Sequence, residues 1–112
     1  MPKLELNPDY LRQLLAVLRL YAPEAEVWAY GSRVNGGAHD GSDLDLVLRN
    51  PVQLTEPQKQ LAALREALSE SNIPILVDVL DWARIPDEFR REIERQHVVI
   101  RGVPATENIS AQ

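Results

Sequence analysis

Leu11, Leu14, Leu15 and Leu18 recur at helical spacing, with Tyr21 one turn further on. Asn7 before Pro8 is a cap followed by proline in the first turn, and Pro23 stops the run. A first amphipathic helix is therefore expected from about residue 8. Glu26 to Tyr30 is a short apolar run that reads as a strand. Asp43 to Arg49 reads as a second strand, broken by Asn50-Pro51. Between them, Gly31 to about Gly37 is a turn with room for a short helix, and Gly36, Gly37 and Gly41 make the spacer a loop. Thr55 with Gln58 has capping-box spacing, and Leu61, Leu64 and Leu68 carry a helix to about Ser71-Asn72. Ile73 to Asp81 is the third strand, interrupted early by Pro74. Pro86-Asp87-Glu88 opens a last helix, with Phe89 and Ile93 inward, that reaches about Gln96. His97 to Arg101 reads as a short final strand or an extended edge. Residues 105–112 lack periodicity, which is the pattern of a tail. Strands alternating with helices predict one α/β sandwich domain over residues 1–104.

One stretch carries chemistry that a core does not need. The run Val27-Trp28-Ala29-Tyr30 leads straight into Gly31-Ser32-Arg33. A strand that stops at Gly-Ser exposes several backbone N–H groups, which suits an anion such as a phosphate. Asp43 and Asp45 then sit two apart on the second strand. Side chains alternate there, so both carboxylates share one face while Leu44, Leu46 and Leu48 take the other. Two such carboxylates resist ionising together unless something positive lies between them. Oxygen ligands beside a phosphate cradle suit Mg²⁺. A third acid, Asp78, stands inside the apolar run from Ile75 to Leu80, where a charge is costly unless paired or metal-bound. Asp81 points to the opposite face from Asp78 and ends the strand.

Composition narrows the setting. The 112 residues are 45% hydrophobic and 26% charged, which fits one globular core rather than disorder. Cysteine is absent, which removes disulfides, thiolate metal sites and a cysteine nucleophile. A net charge of -5 argues against stable binding along a nucleic-acid backbone and fits a basic partner. No apolar stretch approaches membrane-spanning length, and Met1 to Glu5 lacks a signal-peptide shape, so the cytoplasm is the expected location.

Gly31-Ser32, the ten-residue spacer Arg33 to Ser42, Asp43-Leu44-Asp45 and the later Asp78 together resemble the nucleotidyltransferase fold of the DNA polymerase β superfamily. That fold is α/β (α+β), a small mixed sheet with helices packed on it. The short length and the wording around Gly31 and Asp43 look most like the minimal nucleotidyltransferases, over roughly residues 10 to 101. Those are often the antitoxin half of a pair with a HEPN-domain ribonuclease toxin. Many minimal members carry a second basic residue where this chain has Asn35.

The resemblance implies transfer of AMP from ATP to a hydroxyl on a partner protein, a tyrosine of the HEPN toxin, in the manner of a type VII antitoxin. Asp43 and Asp45 are expected to hold Mg²⁺ on the triphosphate. Asp78 is expected to complete a second metal position or to act as base on the hydroxyl. Two ions about 4 Å apart would stabilise both the attacking and the leaving oxygens. Ser32 and the amides after Gly31 are expected to cradle the phosphates, with a forked contact from Arg33. Ser42 is expected to orient the acidic pair or cap the turn before it. An antitoxin acting by contact alone, an aminoglycoside-type small-molecule transferase and a nucleotide-sensing domain stay open. His39 reads as a solvated loop residue, and Trp28, Tyr30 and Trp82 as core or rim aromatics, with a place in the lining of the nucleotide pocket as the alternative for Tyr30. Arg90 to Arg95 reads as a solvated helix face or a docking surface.

Overall fold

In the computed structural model of the chain, residues 2–102 are described, and the expected tail at 105–112 lies outside them. The elements follow the order α1 (Pro8–Tyr21), β1 (Glu26–Tyr30), α2 (Ser32–Asn35), β2 (Leu44–Arg49), α3 (Leu61–Ser69), β3 (Val77–Asp81), a 3-10 turn (Trp82–Arg84), α4 (Asp87–Arg95) and β4 (Val98–Arg101). The four strands form one mixed sheet in the order β3-β2-β1-β4. The pairs β1–β2 and β1–β4 are antiparallel, and β2–β3 is parallel.

Each face of the sheet follows from strand alternation. Leu44, Leu46 and Leu48 of β2 turn to one side and join Val27, Ala29 and Val79. Leu14 and Leu18 of α1 and Leu64 and Leu68 of α3 close that core. Burying each leucine side chain is worth about 1.5–3 kcal/mol. On the opposite face Val47 and Trp28 meet Trp82 of the 3-10 turn and Ile93 of α4. Arg49 closes this second cluster. Its guanidinium lies 4.0 Å from the Trp28 ring centre and 4.6 Å from that of Trp82, and pairs with Glu26 at 2.6 Å. His97 stacks on Trp28, with ring centres 3.8 Å apart.

α1 starts where the cap predicts, with Asn7 Oδ1 accepting the Asp9 N–H at 2.8 Å. Three boundaries differ from the reading of the sequence. α3 begins at Leu61 instead of near Thr55, because the Gln58 N–H donates to Asp81 Oδ2 at 2.8 Å and the chain is held out of helical geometry. β3 begins at Val77 instead of Ile73, since Pro74 lacks the N–H a ladder needs. Asp43 lies just before β2 rather than in it.

Candidate active site

Register places the acids. On β2, Asp45 is opposite Tyr30 of β1 and also opposite Asp78 of β3, so Tyr30, Asp45 and Asp78 form one row across three strands. The next row on that face is Trp28, Val47 and Leu80. The second apolar cluster therefore runs along the face and ends at the acidic row. Phe89 of α4 meets Tyr30 edge-on at 5.6 Å and marks the end of the helical cover. Past that contact, Asp43 and Asp78 are exposed and Asp45 is half-buried.

Asp78 departs from its expected setting. The apolar run around it suggested a buried charge, but β3 is an edge strand and the carboxylate stands at the surface, so no burial cost demands a partner. Asp81 occupies the other face in the row of Val27 and Leu48. It is 4% exposed, accepts the Ala83 N–H at 3.2 Å and the Gln58 N–H at 2.8 Å, and so ends the strand and caps the 3-10 turn.

Burial, then Asp78, then Asp43 push the Asp45 carboxyl above the ordinary carboxylate range. Burial, followed by Asp45 and Asp78, likewise raises the Tyr30 phenol and keeps it neutral. Among the described residues neither an ion pair nor a hydrogen bond neutralises Asp43, Asp45 or Asp78. This donor set, hard oxygens that repel one another, suits a divalent cation. Among the described residues no three such groups stand in ligating distance of one point, so a cation would have to draw Asp43 and Asp78 towards Asp45.

The bend that follows β1 is built against Asp45. Gly31 has φ +80 and ψ -153, and a Cβ placed on it would lie 2.5 Å from Asp45 Oδ2. Only glycine allows both the positive φ and that approach. Ser32 then opens α2, in which the Val34 and Asn35 N–H groups donate to the Gly31 carbonyl and those of Ser32 and Arg33 lie ahead of the first helical bond.

Arg33, expected to reach the phosphates, spends its side chain on backbone carbonyls, and Ser42 caps the turn before Asp43. Arg33 is 7% exposed. Its Nε donates to the Ser42 carbonyl at 3.0 Å, and its terminal nitrogens donate to the carbonyls of Glu5 (2.7 Å), Asp40 (3.1 Å) and His39 (3.4 Å). The Ser42 hydroxyl accepts the His39 N–H at 2.9 Å and closes the turn before Asp43. His39 itself accepts the Gly41 N–H through Nδ1 at 3.2 Å. The part of Glu5 was not visible in the sequence, because it offers only a backbone carbonyl and amide.

The sequence model for the "Poly(A) RNA polymerase, mitochondrial-like, central palm domain" matches residues 3–88. A Haemophilus influenzae protein named "Probable protein adenylyltransferase MntA" is 41% identical over 101 residues, 88% of this chain and 85% of its own length. A crystal structure of a toxin-antitoxin with AMP-PNP superposes with a TM-score of 0.67 at 19% identity, over 88% of this chain and 78% of its own. That last likeness is one of fold. The chain belongs to the family of this palm domain and is a nucleotidyltransferase.

Proposed function

We propose that this nucleotidyltransferase moves AMP from ATP to a hydroxyl on a partner protein, a tyrosine of a HEPN-domain toxin, and so acts in the cytoplasm as an antitoxin. The observation that carries the reading is the row of Asp45 and Asp78 set against the Gly31 bend. The name of the Haemophilus influenzae relative supports protein adenylylation, and the AMP-PNP structure with the same fold supports both ATP and a toxin partner.

Ser32 and the amides that follow Gly31 would receive the β- and γ-phosphates. Mg²⁺, as two ions held by Asp43, Asp45 and Asp78, would neutralise the triphosphate and the departing pyrophosphate. Asp78, exposed on an edge strand, is open to a hydroxyl arriving from outside the sheet and would accept its proton. The hydroxyl oxygen bonds to the α-phosphorus, the bond to the β-phosphate oxygen breaks, and pyrophosphate leaves. Tyr30, held neutral, forms the wall between the acids and α4.

Purified protein mixed with Mg²⁺, ATP and the toxin encoded beside it tests this by intact mass. The toxin is expected to gain one or more AMP increments on tyrosine. A toxin of unchanged mass under every nucleotide would overturn the reading.

A further inference from the structure

We infer that Arg33 is a positioning residue for the acids, acting through the loop that delivers Asp43, and that it does not contact the triphosphate. The inference rests on the catalytic reading of Asp43, Asp45 and Asp78.

The guanidinium makes four hydrogen bonds, all to backbone carbonyls. Three of those carbonyls, His39, Asp40 and Ser42, belong to the loop between α2 and β2, and the last is the carbonyl of the residue immediately before Asp43. The fourth, Glu5, lies on the segment before α1, and its own N–H donates to the Arg33 carbonyl at 2.7 Å. Arg33 therefore ties three separate pieces of chain together: the N-terminal segment, α2 and the loop. The loop between them carries Gly36, Gly37 and Gly41, and has little side-chain packing of its own. Without the guanidinium, those carbonyls lose their donors in a half-buried setting, and Asp43 loses its anchor relative to Asp45. A planar fork with several donors suits this task, and an ammonium does not. The residue is also buried and its fork is already engaged, so it is poorly placed to meet a phosphate that arrives from solvent.

Arg33→Lys separates the roles, because lysine keeps the charge and loses the fork. The measurements are the kcat and KM for ATP at saturating Mg²⁺, corrected for folded fraction, together with amide hydrogen exchange over residues 39–43. Positioning predicts that kcat falls by at least about tenfold, with KM within about twofold and faster exchange in the loop. A rise in KM with kcat unchanged would assign a triphosphate contact and overturn the inference. So would a lower Tm with both constants unchanged, which is what a merely structural role gives. If the variant does not fold, the wild-type Arg33 Nε–H signal decides by NMR. It should be protected from exchange and unmoved by Mg²⁺-ATP, and a shift on addition of nucleotide would overturn the inference. An inactive wild type would sink the catalytic reading and this inference together, whereas an active wild type with a KM effect sinks this inference alone.

Discussion

The α-carbon of Gly31 faces the carboxylate of Asp45 so closely that a methyl group there would stand 2.5 Å from Oδ2. The bend after β1 and the acid of β2 are thereby fixed to each other by the absence of a side chain. Gly36 offers the comparison: its φ is +87, yet nothing lies within 4 Å of where its Cβ would be.

Gly31→Ala and Gly36→Ala should therefore separate strain from site geometry. Gly36→Ala puts alanine in the left-handed region at a cost of about 1–2 kcal/mol in urea unfolding, and Gly31→Ala, at φ +80 and ψ -153, puts it in a glycine-only region at about 1–3 kcal/mol. Only Gly31→Ala also displaces the Asp45 carboxylate, and a shift of about 1 Å there lowers nucleotidyl transfer by about 100-fold. Gly36→Ala is expected to keep activity close to wild type. Equal activity losses in the two variants would contradict the assignment.

Asp45 makes stability depend on pH and on metal. Its carboxyl is raised in the fold above the unfolded value, chiefly by burial and then by Asp78 and Asp43. The resulting stability is fully present below the ordinary carboxylate pKa and is lost as pH rises through the raised value. In chelator, the Tm of Asp45→Asn should exceed that of wild type at neutral pH, and the difference should close below about pH 4. Adding Mg²⁺ should raise the wild-type Tm and leave the variant unmoved. Calorimetry across pH, with and without the ion, reads both effects.

Asp78 and Asp81, three residues apart, are expected to fail in opposite ways. Asp81→Ala strips two backbone N–H groups of their acceptor and should cost about 1–3 kcal/mol, with kcat per folded molecule unchanged. Asp78→Asn alters an exposed side chain, so stability should stay within about 0.5 kcal/mol while transfer falls by about 100-fold or more. Denaturation curves and initial rates on the same preparations make the comparison.

The parts of this fold that were legible in the sequence are those set by local pattern. Alternation around Leu44, Leu46 and Leu48 located β2 and its two faces, and Asn7-Pro8 located the start of α1. Thr55 and Gln58 matched a helix start, but a tertiary bond from Asp81 to the Gln58 N–H took precedence over the local signal. The surroundings of Asp78 read as buried because edge or central status belongs to strand order, which a local run of residues does not encode. The hydrogen bonds of Arg33 were hidden for a related reason. Its partners are carbonyls of Glu5, His39, Asp40 and Ser42, and backbone acceptors leave no mark in side-chain identity. The nearness of Gly31 to Asp45 was equally hidden, since it depends on β1 and β2 pairing at Tyr30 and Asp45.

The most direct test of the central claim is an anomalous difference map from crystals grown with Mn²⁺ and a non-hydrolysable ATP analogue. The account predicts Mn²⁺ peaks bridged by the carboxylates of Asp43, Asp45 and Asp78, with the triphosphate on the amides after Gly31. Nucleotide bound elsewhere, or Mn²⁺ peaks that leave Asp45 and Asp78 without metal, would contradict it.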